Sequence, residues 1–153
     1  MRCLLDSAWD ELLHIAEETR ETDALIFVGL PLRHRGKLYN VAAALNHGRI
    51  VGFVPKTHIP NYNEFYEQRQ FAGAEEEDVE FVDFLKCEKN EEDEFWDEIP
   101  FGTELIFECK EFPEFTVAAE LCEDLWSLRR QVSVMPSTVR ISSLISLPVM
   151  RCR

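Results

Sequence analysis

Only four residues, Asn46-His47-Gly48-Arg49, separate two strand-like runs, Lys37 to Leu45 and Ile50 to Val54. A connection that short joins antiparallel neighbours, and its Asn and Gly suit a tight hairpin turn. The chain is therefore committed to a sheet before residue 60. His47 sits in that turn and is expected to be solvated. Upstream, Ala24-Leu-Ile-Phe-Val28 is a continuous apolar run with the length of a buried strand, which Gly29 and Pro31 are expected to end. Arg35-Gly36 reads as a further turn. Before the strands, Leu4, Leu5, Ala8, Trp9, Leu12, Leu13, Ile15 and Ala16 recur at helical spacing. Asp6, Asp10, Glu11, Glu17 and Glu18 lie mostly opposite them, so an amphipathic helix is predicted over about 3–20, with Trp9 in the core.

Beyond Val54 the chemistry changes. Pro55 cannot donate to a sheet ladder, so pairing should weaken there and leave Lys56 at a strand end. Pro60, Asn61 and Asn63 make the next segment a loop, which carries Tyr62, Glu64, Tyr66, Glu67 and Arg69. Most lysines at strand ends are solvated and most Tyr/Glu-rich loops are surface. A lysine followed closely by carboxylates and phenols is also a candidate polar site. Further on, Leu105 to Glu108 and Phe115 to Leu121 read as strands, joined by a turn at Glu111 to Glu114. Cys122 follows the second of them. A lone cysteine there is more often a small buried hydrophobe, but a strand-to-turn junction can also hold a nucleophile exposed above a sheet.

The chain has 153 residues, enough for one modest core. A formal net charge of −13 argues against a nucleic-acid or anionic-membrane surface. No apolar run approaches the ~18 residues of a membrane span, and there is no basic-then-apolar signal segment. Five cysteines, an odd number at irregular spacing, do not form a disulfide framework, and no Cys-x-x-Cys pair suggests zinc. No metal site is expected, and a reducing cytoplasm fits. Between residues 72 and 98 the runs Glu75-Glu76-Glu77-Asp78 and Glu91-Glu92-Asp93-Glu94 read as a solvated insertion loop, with Cys87 inside it.

The order of these segments carries a resemblance. Val28-Gly29-Leu30-Pro31, Leu38-Tyr39-Asn40-Val41-Ala42, Gly52-Phe53-Val54-Pro55-Lys56 and Leu121-Cys122-Glu123-Asp124 together resemble the nitrilase (carbon–nitrogen hydrolase) superfamily. The continuation Pro60 to Phe71, with Tyr62, Glu64-Phe65-Tyr66-Glu67 and Arg69, is similar to the N-terminal glutaminase domains of glutamine-dependent NAD+ synthetases. The similarity runs from about Leu4 to Trp126. It implies an α/β fold, a fragment of a nitrilase-like α-β-β-α sandwich, and glutamine amide hydrolysis that supplies ammonia. It implies Cys122 as nucleophile, Lys56 as oxyanion donor, Glu67 as supporting glutamate, Tyr62 as a substrate contact and Glu123 as a shaper of the nucleophile turn. Partners implied are glutamine, a synthetase domain outside this chain and further copies in a homo-oligomer. ATP and Mg2+ are implied only for that synthetase domain. Two alternatives remain: a stand-alone amidase of the same superfamily, which the Glu64–Glu67 extension disfavours, and a non-catalytic chain that associates with intact subunits.

Two parts depart from the pattern. The superfamily's general-base glutamate should lie on a strand before the first helix, and nothing here matches it; Glu11, Glu17 and Glu18 belong to the helix. The other departure is the tail. Residues 127–153 hold five of the 16 basic residues and none of the 29 acidic ones. A choice of permitted codons for Thr138 to Arg153, read from each third base, can give Gly-Ala-Asn-Leu-Ile-Ala-Asn-Leu-Ser-Ala-Ser-Asp-Glu-Val, which resembles the family's next strand. The expectation is a glutaminase-like unit over 1–126, followed by a basic tail read out of frame, without a settled place in the fold.

Overall fold

The computed structural model describes residues 2–62, 66–75, 80–83, 98–126 and 140–145. Helix α1 spans Arg2–Glu18. Its apolar stripe buries Leu12 and Ala16, with Trp9, Leu13 and Ile15 packed beside them. Leu4, counted on that stripe from its spacing, is 58% exposed, because the helix overhangs the sheet at its first turn. At the other end the Thr19 hydroxyl donates to the carbonyls of Ile15 and Ala16 and closes the last turn.

Strands β1 (Ile26–His34), β2 (Lys37–Asn46) and β3 (Arg49–Pro55) form a continuous antiparallel meander. Both hairpins turn through left-handed pairs, Arg35 (φ 46°) with Gly36 (φ 79°) and His47 (φ 49°) with Gly48 (φ 76°). That backbone matches the right-handed twist of the flanking strands. His47 lies half-exposed in its turn, 3.1 Å from Asp23. β1 does not stop at Gly29 and Pro31: Pro31 sits in register with Asn40 and pairing continues to His34. β1 is an edge strand, where a missing N–H can face outward at no cost to the ladder.

β4 (Glu80–Asp83) and β5 (Glu98–Phe101) complete the first sheet in the order β1-β2-β3-β5-β4. Part of the segment read as a solvated insertion is thus sheet. Val82 is buried while Phe81 is exposed, an alternation the flanking acidic runs obscured. Glu80 accepts from His34 and Arg35, pinning β4 to the tip of the first hairpin. Residues 76–79 and 84–97, most of the acidic runs, and Cys87 lie outside the described residues.

The strands form two sheets, the pair of layers that an α-β-β-α sandwich implies. β6 (Phe107–Glu108), β7 (Thr116–Leu121) and β8 (Arg140–Ile145) make the second. β6 is shorter than the apolar run that begins at Leu105. β8 runs parallel to β7 over its whole length, so the tail, expected to have no place in the fold, contributes a strand. The backbone explains this: β7 offers a full set of donors and acceptors on that edge, and any extended segment can take them. Residues 127–139 and 146–153 lie outside the described residues.

The two faces of β2 define the layers. Val41, Ala43 and Leu45 join Phe53 and the α1 residues in one core, where the Trp9 and Phe53 rings stand 6.0 Å apart. Ala42 and Val54 face the other way and meet Ala119 and Leu121 of β7. Gly52 lets the sheets close, since a Cβ there would stand 3.0 Å from Leu105 and 3.1 Å from Phe107. Phe27 and Phe107 meet edge-to-face across the layers at 5.5 Å. The order is helix, sheet, sheet.

Candidate active site

Lys56 follows β3 directly. It lies two residues beyond Val54, so strand alternation directs it to the face that meets the second sheet. Its backbone extends the β2 ladder by one bond, Lys56 N–H to the Asn40 carbonyl at 2.9 Å. Its side chain is 2% exposed, not solvated, and its Nζ donates to Glu67 Oε2 at 2.9 Å. Glu67 opens a short 3-10 turn, Glu67–Arg69, and is itself buried. The turn returns the chain beside Lys56. Gln70 and Phe71 donate backbone N–H bonds to the Glu67 carbonyl, Ala72 donates to Leu38, and Ala74 donates to the Lys56 carbonyl at 3.0 Å. Gly73 is required where the segments cross, because a Cβ there would stand 2.6 Å from the Thr57 carbonyl oxygen. Arg69 stacks over Tyr66, 4.9 Å from its ring centre.

Cys122 ends β7 and begins a second 3-10 turn, Cys122–Trp126. It is partly exposed, not a buried hydrophobe, and its thiol is free. Its φ is +51°, a left-handed backbone that costs a non-glycine residue roughly 1–2 kcal/mol. Strain of this kind is held in place by surrounding structure and clusters at functional sites. The next two residues reach back to the lysine segment. The Tyr62 hydroxyl donates to Glu123, 3.0 and 3.1 Å from its two carboxylate oxygens, on the exposed rim. Asp124, 1% exposed, accepts the backbone N–H groups of Thr57 and His58. The segments following Lys56 and Cys122 are thereby joined at one end of the sandwich.

Asp124 stands in the Cys122 motif with no role assigned to it there, and His58 is not singled out by the sequence. Only the fold reveals which donors the Asp124 carboxylate meets. Gly73 was equally silent. Glu64 lies outside the described residues. Glu11, Glu17 and Glu18 point to solvent on α1, across the first sheet from this site. A cavity of about 60 Å3 adjoins this segment through Pro55 and Ala74 and is also lined by Lys37, Tyr39, Glu80 and Phe101; neither Lys56 nor Cys122 borders it.

No family model matches the chain. Known proteins do. Over 124 residues, 80% of the chain, it is 36% identical to the glutamine-dependent NAD(+) synthetases of Mycobacterium bovis and Mycobacterium tuberculosis. The chain is homologous to glutamine-dependent NAD(+) synthetases. It spans 16% of the length of these relatives. The synthetase from Mycobacterium leprae is 31% identical over the same extent. Among solved structures, the glutamine-dependent NAD(+) synthetase of Cytophaga hutchinsonii superposes with a TM-score of 0.65 at 23% identity, covering 80% of this chain and 18% of that one. That likeness carries the fold: a mixed α/β, nitrilase-like architecture. Among the described residues of this synthetase homologue, no helix is long and apolar enough to cross a membrane.

Proposed function

We propose that this chain carries part of a glutaminase site whose ammonia feeds an ATP-dependent synthetase step, the amidation of deamido-NAD+ to NAD+. Cys122, as thiolate, attacks the side-chain amide carbon of glutamine. Lys56 donates to the oxyanion that develops, and Glu67 orients its ammonium. The amide nitrogen takes the proton that the thiol gave up and leaves as ammonia; water then hydrolyses the thioester, releasing glutamate and the free thiol. Tyr62 contacts glutamine at the rim and Glu123 shapes the nucleophile turn. ATP and Mg2+ serve the synthetase step, with no residue here assigned to them. The setting is the cytoplasm, in a homo-oligomer.

One observation carries the reading: a buried Lys56–Glu67 pair whose following segment is tied to the strained turn that begins at Cys122. Kinship with the synthetases supports the choice of substrate. The test is ammonia release from glutamine, by this chain and by a longer version that also carries the superfamily's glutamate. No base within residues 1–153 is assigned, and lack of one typically removes ~10²–10⁴ of rate. The chain alone is therefore expected to turn over little, and the longer version to hydrolyse glutamine in a manner abolished by Cys122→Ala. A longer version that leaves glutamine intact would overturn the proposal.

A further inference from the structure

We infer that Asp124 is a positioning residue for this site: its carboxylate fixes the Thr57–His58 backbone, and with it Lys56, against the turn that carries Cys122. The inference rests on the roles given to Lys56 and Cys122 above.

The need for such a residue follows from the chain. β3 ends at Pro55, and after the Lys56 bond to Asn40 the first-sheet ladder stops. Two successive N–H groups, those of Thr57 and His58, leave the ladder as the chain turns away, and partly buried donors require acceptors. Asp124 supplies both. Its Oδ1 lies 2.6 Å from His58 N, and its two oxygens each lie 3.2 Å from Thr57 N. His58 Nδ1 adds a third donor at 3.0 Å. A carboxylate accepts at both oxygens, and bonds to an ionised acceptor are roughly twice as strong as neutral ones. An amide of the same shape would turn an NH2 toward one of the donors.

Location makes this more than loop anchoring. Asp124 belongs to the 3-10 turn that starts at Cys122, two residues earlier, and it is 1% exposed. Thr57 is peptide-bonded to Lys56, and Gly73 passes so close to its carbonyl that a Cβ there would stand 2.6 Å from the oxygen. The second link between the segments, Tyr62 to Glu123, is exposed. The buried carboxylate is thus the stiff element of the joint, and the separation of ammonium and thiol depends on it.

The test compares the longer version that carries the superfamily's glutamate with its Asp124→Ala, Asp124→Asn and His58→Ala variants. Three readouts are taken: amide hydrogen exchange at positions 57 and 58, alkylation of Cys122 by iodoacetamide, and labelling of Cys122 by a diazo-ketone analogue of glutamine. Peptide mass spectrometry separates Cys122 from the other cysteines. In Asp124→Ala both amides should exchange roughly ten- to hundredfold faster, the loss expected when a charged acceptor is removed. The ratio of analogue labelling to iodoacetamide labelling should fall at least ~tenfold, since misplacement by 1 Å costs on the order of a hundredfold. A merely structural loosening would raise iodoacetamide labelling and leave no such selective loss. Asp124→Asn, with one acceptor oxygen, should rescue part of both effects, and it carries the test if Asp124→Ala does not fold. His58→Ala removes one of the three donors and keeps both backbone bonds, so it should raise exchange and lower the labelling ratio far less than Asp124→Ala. Unaltered exchange in the Asp124 variants, or faster exchange with an unaltered labelling ratio, would overturn the inference. A wild-type Cys122 that iodoacetamide alkylates but the glutamine analogue ignores would instead sink the glutaminase reading, and the exchange comparison would then decide Asp124's role alone.

Discussion

Lys56 and Glu67 place two opposite charges where water barely reaches, with side chains 2% and 5% exposed. Removing one partner strands the other, so Glu67→Ala should destabilise the chain by about 3–5 kcal/mol in urea unfolding. Replacing both, Lys56→Met with Glu67→Leu, should restore most of that stability, because an apolar pair carries no desolvation penalty. A double variant as unstable as the single one would show that the pair is not what is being lost. Cys122 offers a complementary experiment on strain. At φ +51°, Cys122→Gly should be about 1 kcal/mol more stable than Cys122→Ala, reversing glycine's usual disadvantage. Both changes remove the thiol, so thermal unfolding isolates the backbone term. Gly73→Ala should cost about 1–3 kcal/mol, since the 2.6 Å approach is to backbone and cannot be relieved by a rotamer change. The candidate residues were legible from sequence because Lys56, Glu67 and Cys122 stand in a motif. The role of Asp124, though it stands in the same motif, and that of Gly73 were not, because their importance consists in which backbone atoms face them.

At the scale of elements, helical period and turn chemistry located α1 and the two hairpins. The period of α1 makes Leu12 its innermost residue, 1% exposed, so Leu12→Ala should cost about 2–5 kcal/mol in chemical denaturation. A cost near zero would mean that α1 is not held on the sheet. What sequence missed follows from neighbours rather than from the elements themselves. Pro31 looks like a stop until β1 proves to be an edge. Glu80-Phe81-Val82-Asp83 looks like part of an acidic loop until β5 supplies a partner, with Val82 paired to Ile99. β7 is buried along nearly its whole length, as β2 is over residues 41–45, so its own pattern does not say which sheet it joins. It is the small residues Ala42, Ala44 and Gly52, buried on the inner face, that reveal a second layer packed close.

The whole molecule poses the question of its tail, where five arginines meet no acidic residue. Sequencing the gene from the codons of Trp126 onward is expected to show a one-base change of frame; an intact frame with no family-like shifted reading would rule that out. β8 does not decide it, because its pairing with β7 is made by main chain. A different consequence follows from the spacing of the site's contacts along the chain. Lys56 and Glu67 are 11 residues apart, so their pairing is a local event. Thr57 and Asp124 are 67 residues apart, and contacts that distant close late in folding. During synthesis at about 5–20 residues per second, the ribosome needs roughly three to thirteen seconds to deliver Asp124 after Thr57. For that interval the nascent chain carries Lys56 and Glu67 but not the carboxylate that ties the Thr57–His58 backbone. The junction between the two segments forms only when the second sheet docks, so a chain cut off before Asp124 carries the buried ion pair without its tie to that sheet.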